Sequence, residues 1–292
     1  MKQFFKLLRV KHYSKNILVL LPLIFGRRLT DLSLLWKTLL GTAAFCLISS
    51  AVYIVNDIRD AEKDRKHPTK RNRPIASGAV SVSAARILIA ILCAGALVLN
   101  AFACGVSPLP WALLIVYFLL NLGYSMGLKD IAIVDIAILV SGFLLRLLYG
   151  SALTGIEISG WLYLTVVTMS FFMGLGKRRN ELRVQQSGEA QGETRAVLHK
   201  YSFGFLDKSI YMCLALAVAF YSLWCVDAPS AGQISENRLI WTVPLVILIC
   251  LKYSMTVEGQ SDGDPVEVLF CDKWLLGLVA LLGCAILGII YL

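Results

Sequence analysis

Nine stretches of mostly apolar residues, separated by polar gaps, leave this chain few ways to fold. They cover approximately 16–30, 35–55, 82–104, 109–127, 131–153, 158–176, 209–226, 238–255 and 273–291. A helix needs about 20 such residues to cross the hydrocarbon of a bilayer. The first stretch is the shortest and is closed abruptly by Arg27 and Arg28. Of 292 residues 58% are apolar and only 16% charged, whereas a soluble domain carries roughly 25% charge to cover its surface. A soluble enzyme, a disordered chain and a secreted disulfide scaffold are therefore excluded. The expectation is an all-α membrane protein, one integral membrane domain over residues 1–292, with nine membrane-spanning helices. The bilayer is its first partner.

The eight cysteines, Cys46, Cys93, Cys104, Cys213, Cys225, Cys250, Cys271 and Cys284, show no CxxC or metal-ligand spacing. Most lie in apolar runs and read as small core hydrophobes, with no disulfide expected. No cleavable signal peptide is expected either, because Arg27 and Arg28 stand where small residues would mark a cleavage site.

The net charge of +9 does not read as a nucleic-acid site, since the cations sit between apolar runs and form no recognition helix or basic tail. Alternating the nine spans places 23 of the 28 Lys and Arg on one side. By the positive-inside rule that side is cytoplasmic, with the N-terminus inside and the C-terminus outside. The long connections 56–81, 177–208 and 256–272 all fall there, so the chemistry is expected to face the cytoplasm.

The second apolar run ends in Asn56-Asp57-Ile58-Arg59-Asp60-Ala61-Glu62-Lys63-Asp64. On a continuing helix Asp57, Asp60 and Asp64 fall within about 60° of one another. Hard oxygen donors on one stripe suit Mg²⁺, which commonly joins one or two carboxylates to substrate phosphates. A solvated, salt-bridged helix end is the bland alternative. Next comes a loop bounded by Pro68 and Pro74 and rich in cations, Lys66, Lys70, Arg71 and Arg73. Cations beside a carboxylate stripe fit a polyphosphate substrate; a plain positive-inside loop is the competing reading. Asp135 and Arg146 lie 11 residues apart in the fifth run, and ionisable groups at membrane depth usually face a bundle interior. Arg146 reads as a phosphate ligand in a cavity, and Asp135 as orienting Lys129 or Arg146. Tyr124 and Lys129 bracket a cytoplasmic turn facing the same vestibule. The acidic segment Glu258, Asp262, Asp264, Glu267 and Asp272 reads either as a lid or as a solvated loop. The polar patch Gly188–Glu193 reads as flexible loop.

Asn56-Asp57-x-x-Asp60-x-x-x-Asp64 after a membrane span resembles the first aspartate-rich motif of the UbiA superfamily of intramembrane transferases. That resemblance implies a nine-helix bundle with its active site at the cytoplasmic face. Within the superfamily, four segments are similar to the decaprenyl-phosphate phosphoribosyltransferases. They are Asp64-Arg65-x-His67-Pro68-x-Lys70-Arg71-x-Arg73-Pro74-Ile75-Ala76-Ser77-Gly78, Tyr124-Ser125-x-x-Leu128-Lys129, Gly142-Phe143-x-x-Arg146 and Leu175-Gly176-Lys177-Arg178-Arg179-x-Glu181-Leu182. This branch implies a cell-membrane enzyme of bacterial type that transfers 5-phosphoribose from phosphoribosyl pyrophosphate (PRPP) to a polyprenyl phosphate. Mg²⁺ would be the cofactor, and the product would feed cell-envelope glycan synthesis. Carried over, Asp57, Asp60 and Asp64 hold the metal. Asn56, Lys66, Lys70, Arg71, Arg73, Tyr124, Lys129, Arg146, Lys177, Arg178 and Arg179 bind substrate. Ordinary prenyltransferases of the superfamily carry a second aspartate motif where this chain has Lys177-Arg178-Arg179-Asn180-Glu181. Two other readings compete: a prenyltransferase acting on an aromatic or haem acceptor, and a lipid transporter or flippase. A homo-oligomer is left open.

Overall fold

Apolar runs and polar gaps become long helices and short connections. The computed structural model describes residues 2–66, 70–186, 196–227, 238–258 and 264–292, and every regular element among them is helical. His67, the patch Gly188–Glu193 and Asp262 lie outside the described residues. The helices are α1 (Lys2–Leu8), α2 (Leu21–Phe25), α3 (Leu32–Arg59), α4 (Ala61–Lys66), α5 (Val82–Cys104), α6 (Pro108–Ser125) and α7 (Val134–Thr154). The chain continues through α8 (Gly160–Gln186), α9 (Phe203–Asp227), α10 (Val243–Glu258), α11 (Pro265–Cys271) and α12 (Lys273–Tyr291).

Seven helical runs are long and apolar enough to cross a membrane: α3, α5, α6, α7, α9, the stretch Arg238–Glu258 that contains α10, and α12. Two expected spans look different. Helix α8 has 27 residues, but its C-terminal part carries Lys177, Arg178, Arg179, Glu181 and Arg183. The first apolar run is not one α-helix. Arg9 breaks the chain in a left-handed conformation, φ 53°, a 3₁₀ helix follows over Val10–Leu20, and α2 carries Pro22 in its first turn.

The 3₁₀ geometry explains the burial of this segment. With three residues per turn, side chains at i and i+3 eclipse, so the segment has three edges. Tyr13, Asn16 and Val19 form one: Tyr13 shares a 2.8 Å hydrogen bond with Ser50 on α3, and Asn16 and Val19 are fully buried. Arg9, His12 and Lys15 form the second, which faces the site described below. Lys11 and Ile17 lie on the third and are exposed.

Helices α3 and α7 form the centre, with 56% of their apolar windows buried, against 17% for α12. Lipid is as apolar as Leu, so burying hydrocarbon does not by itself drive helix association; close packing and interhelical hydrogen bonds do. The buried interfaces follow that rule. The Tyr149 hydroxyl donates to Asn100 Oδ1 at 2.6 Å, Ser49 and Tyr117 hydroxyls lie 3.2 Å apart, and Tyr221 meets Thr242 at 2.6 Å. Outward faces keep large apolar groups, with Trp36, Trp241 and Trp274 all more than half exposed, as interfacial anchors are. Cys213, Cys225 and Cys250 are core residues, whereas Cys271 and Cys284 are exposed, so the reading of cysteines as core hydrophobes fails for those two.

Gly150 on α7 lets the 3₁₀ helix approach. A Cβ there would stand 2.0 Å from the carbonyl oxygen of Val19, which is backbone and cannot rotate away. Gly150→Ala is expected to destabilise the protein by about 1–3 kcal/mol, the usual range for overpacking. Thermal unfolding in detergent measures this, and an unchanged midpoint would show that the contact is not formed.

Candidate active site

The aspartate stripe is split in the fold. Helix α3 ends at Arg59, Asp60 adopts φ −88° and ψ 0°, and α4 carries the chain onward. Asp57 and Asp64 are buried at 2% and 4% exposure and face a shared cation. Arg73 Nη1 donates to Asp64 Oδ2 at 2.7 Å and to Asp57 Oδ1 at 3.2 Å. Arg9 Nη2 donates to Asp57 Oδ1 at 2.5 Å, and its guanidinium lies 5.1 Å from the Tyr53 ring centroid. Asp60 looks elsewhere. It accepts from Lys129 Nζ at 2.6 Å and from Asn56 Nδ2 at 3.1 Å, and Ser125 Oγ donates to Asn56 Oδ1 at 3.3 Å.

Of the loop cations, Arg73 joins the carboxylates, Lys66 and Arg71 are exposed, and Lys70 is half-buried. The loop is pinned by Arg65 Nε donating to the Ala76 carbonyl at 3.2 Å and Lys6 Nζ donating to the Asn72 carbonyl at 3.0 Å.

Lys177, Arg178 and Arg179 do not act as one cluster. Successive helical residues point about 100° apart, and the three fan into different surroundings. Lys177 Nζ meets Asp264 Oδ2 at 3.0 Å. Arg178, fully buried, donates Nε to Asp135 Oδ2 at 2.5 Å, Nη1 to Glu181 at 2.7 Å and Nη2 to the Tyr124 hydroxyl at 3.2 Å. Arg179 reaches the far side of α8 and donates Nε to Asp207 at 2.5 Å. Arg178 and Tyr124 are thus joined in a clamp between helices, and Arg179 belongs to a different face from Lys177. Asp135 departs from its expected role. It orients neither Lys129 nor Arg146; it holds Arg178 and accepts from the Tyr201 hydroxyl at 2.6 Å.

Arg146 is buried at 4% exposure. It donates to Asn16 Oδ1 at 2.6 Å, to the Gly142 carbonyl at 2.6 Å and to the Tyr117 hydroxyl at 3.0 Å. The rings of Tyr117 and Phe45 lie 4.9 and 5.1 Å from its guanidinium carbon, an arrangement that stabilises a cation. Among the described residues no carboxylate pairs with it.

Asp264 caps α11 by accepting from Val266 N at 3.0 Å. It also lies 3.4 Å from Lys15 Nζ and 4.0 Å from His12 Nδ1. Burial alone would push its carboxyl up, but Lys177 and Lys15 overcome that and hold it well below the usual carboxylate range. Asp264 stays ionised at any physiological pH.

Sequence reasoning missed Arg9, His12, Lys15 and Asn16. The signal was present as the three-residue spacing of Arg9, His12 and Lys15, which a 3.6-residue period does not pick out.

The sequence pattern of the UbiA prenyltransferase family matches residues 19–276. The chain belongs to this family. The decaprenyl-phosphate phosphoribosyltransferase of Corynebacterium glutamicum is 37% identical over 277 residues, 92% of this chain and 80% of that one. The enzyme of the same name from Mycobacterium tuberculosis is 35% identical over 97% of this chain and 92% of its own. Among solved structures, a UbiA homolog from Archaeoglobus fulgidus bound to GPP and Mg²⁺ superposes with a TM-score of 0.70 at 17% identity. That match covers 99% of this chain and 100% of the other, and it establishes the all-helical UbiA fold.

The Archaeoglobus fulgidus homolog was solved with Mg²⁺ bound. Among the described residues no three His, Cys, Asp or Glu side chains gather as a metal cage, because arginine and lysine stand between the carboxylates. The donor set still suits a hard cation. Asp57 and Asp64 both direct an oxygen at the single Arg73 nitrogen, so one positive centre already bridges them. Two carboxylates plus substrate phosphates are the usual company of Mg²⁺.

Proposed function

We propose that this chain transfers 5-phosphoribose from PRPP to a polyprenyl phosphate of decaprenyl type, releasing pyrophosphate. The carrying observation is the balance of charge at one end of the bundle. Asp57, Asp60, Asp64 and Asp264 meet Arg9, Arg73, Lys129, Lys15 and Lys177. The surplus is positive, as phosphates on both substrates require, and the relatives at 35–37% identity carry the corresponding name.

In this reading Asp57 and Asp64 would hold Mg²⁺, with Asp60, which now faces Lys129, as the third acid of the motif. Bound there, the ion would neutralise charge on the departing diphosphate, an effect worth several kcal/mol in such sites. Arg73 and Arg9, released from the carboxylates, turn to the same diphosphate. Lys129 is held in place by Asp60 and Asn56 and adds a third cation. Loss of the leaving group puts oxocarbenium-like charge on the ribose, as in other glycosyl transfers. The lipid phosphate is ionised near neutral pH, so attack needs no strong general base. Attack from the opposite face inverts the anomeric centre.

The whole chain acts as one membrane domain in this proposal, with its site at the cytoplasmic face of a bacterial-type cell membrane. The 3₁₀ helix with α2 would supply one further crossing and α8 the ninth. Eleven 3₁₀ residues and five α-helical ones reach roughly 30 Å at their respective rises, which matches the hydrocarbon thickness. A prenyltransferase using a second metal would need carboxylates on α8, where Lys177 points at the site.

The test is mass spectrometry of lipid extracted after incubating purified protein with PRPP and a polyprenyl phosphate. The expected product is the lipid carrying one added phosphoribosyl group, and EDTA is expected to abolish it. Product formed undiminished after exhaustive chelation would remove the metal from the proposal. A chain that ignores PRPP but consumes a prenyl diphosphate would replace the reaction itself.

A further inference from the structure

We propose that a cleft between α8, α9 and α10 binds the headgroup of a zwitterionic phospholipid, its ammonium on Asp207 and Glu258 and its phosphate on Arg179. The cleft has a volume of about 400 Å³ and lies on the face of α8 that carries Arg179, away from Lys177. Phe172, Ile210, Tyr253 and Val257, all buried, make its apolar floor. Arg179, Asp207 and Glu258 make its polar rim, with side chains 22%, 37% and 55% exposed.

The rim stands at the level of lipid headgroups. The apolar part of α8 gives way to charge at Lys177, Asp207 comes one turn into α9, and Glu258 closes α10. Helix α9 and the run containing α10 are both long and apolar enough to cross a membrane. Tyr211, which also lines the cleft, is 64% exposed at its mouth. From there Met255, Leu251 and Leu248 continue an exposed apolar surface along α10, against which acyl chains can lie.

Charge selects the kind of headgroup. Arg179 Nε donates to Asp207 Oδ1 at 2.5 Å, its Nη2 lies 3.6 Å from Glu258 Oε1, and Arg183 donates to the Glu258 carbonyl. Two guanidinium groups and two carboxylates thus gather at or beside the rim, with no surplus of either sign. An anionic headgroup finds no net attraction there, whereas a zwitterion offers a partner to each sign at once. Its phosphate suits the planar donor fork of Arg179. A primary ammonium brings three donors to carboxylates that each spend one oxygen on Arg179. The rings of Phe172, Tyr211 and Tyr253 add faces that attract a cation. Phosphatidylethanolamine carries this pair of groups, and bound there it would tie three helices together at the polar end of the bundle. Binding of this kind does not depend on the reaction proposed above.

Native mass spectrometry of the whole chain in detergent tests this, with phosphatidylethanolamine and phosphatidylglycerol of matched acyl chains added in turn. A partly exposed ion pair is worth up to about a fivefold change in affinity, and wild type is expected to retain phosphatidylethanolamine over phosphatidylglycerol by about that factor. The double variant Asp207→Asn with Glu258→Gln leaves Arg179 and Arg183 without their carboxylates. Its preference is expected to reverse in favour of phosphatidylglycerol, a change that mere loosening of the helices would not produce. Equal retention of the two lipids by wild type would overturn the site, and that comparison needs no variant. An unchanged preference in a folded double variant would overturn it too, as would a second copy of the chain that displaces lipid from this face.

Discussion

Asp57→Asn is expected to lower kcat about 10²–10³-fold, the range seen when one preorganised charge is removed from a reacting centre. The amide has the size of the carboxylate and keeps a carbonyl acceptor for Arg9 and Arg73, so the loss is one of charge. That charge would grip the divalent ion during departure of pyrophosphate. The KM for the lipid acceptor should change little, because Asp57 contacts Arg9 and Arg73, which in the proposed reaction serve the donor's diphosphate. Steady-state kinetics across a Mg²⁺ titration measure the effect, with a thermal-unfolding midpoint to show that the protein is intact. Arg9 retains the Tyr53 ring as a neighbour, so a collapse of the fold is not expected. Wild-type turnover at limiting Mg²⁺ would remove Asp57 from the metal site.

Much of this site was legible because it follows helical arithmetic. The spacing of Asp57, Asp60 and Asp64 after an apolar run marked the end of α3 as the chemical end of the bundle, and Lys129 and Arg73 were named without their partners. The spacing alone overstated the unity of the stripe. Asp60 sits at the break between α3 and α4 and turns to Lys129, which no periodicity reveals. The Lys177–Arg179 run misled for a related reason: adjacent letters look like a cluster, yet a helix points them in three directions. The N-terminal contribution was hidden more deeply. Arg9 and Lys15 read as scattered positive-inside charge, with His12 given no part, until a 3₁₀ helix aligns every third residue. Crossing helices were legible where charge is absent and less so in α8, whose polar part continues past the apolar run.

Breaking the buried pair between Asp135 and Arg178 is expected to produce the largest loss of stability in the molecule. Both side chains are fully buried, and Arg178 also holds Glu181 and Tyr124. Asp135 in turn accepts from Tyr201, whose hydroxyl oxygen accepts from the Ile133 amide at 2.6 Å. Ile133 has φ 70°, a conformation that a β-branched residue adopts only under constraint. The network therefore holds α7, α8 and the segment around Tyr201 together and fixes a strained entry into α7. Asp135→Ala leaves a guanidinium buried with one acid partner and is expected to cost about 3–5 kcal/mol, read as a lower unfolding midpoint in detergent. Tyr201→Phe removes a neutral hydroxyl that donates to Asp135 and accepts from the Ile133 amide, and without a buried charge left unpaired it should cost less. The double variant Asp135→Leu with Arg178→Met removes both charges, and replacement of a buried pair by apolar groups of similar volume is often neutral or stabilising. It is expected to recover a large part of the loss. A double variant no more stable than Asp135→Ala would mean that the network is held by its hydrogen bonds to Glu181 and Tyr124, not by the central pair. Catalysis offers a second readout. If Arg178 is a clamp, the double variant should keep its KM for both substrates, whereas a phosphate ligand lost from the site would raise one of them.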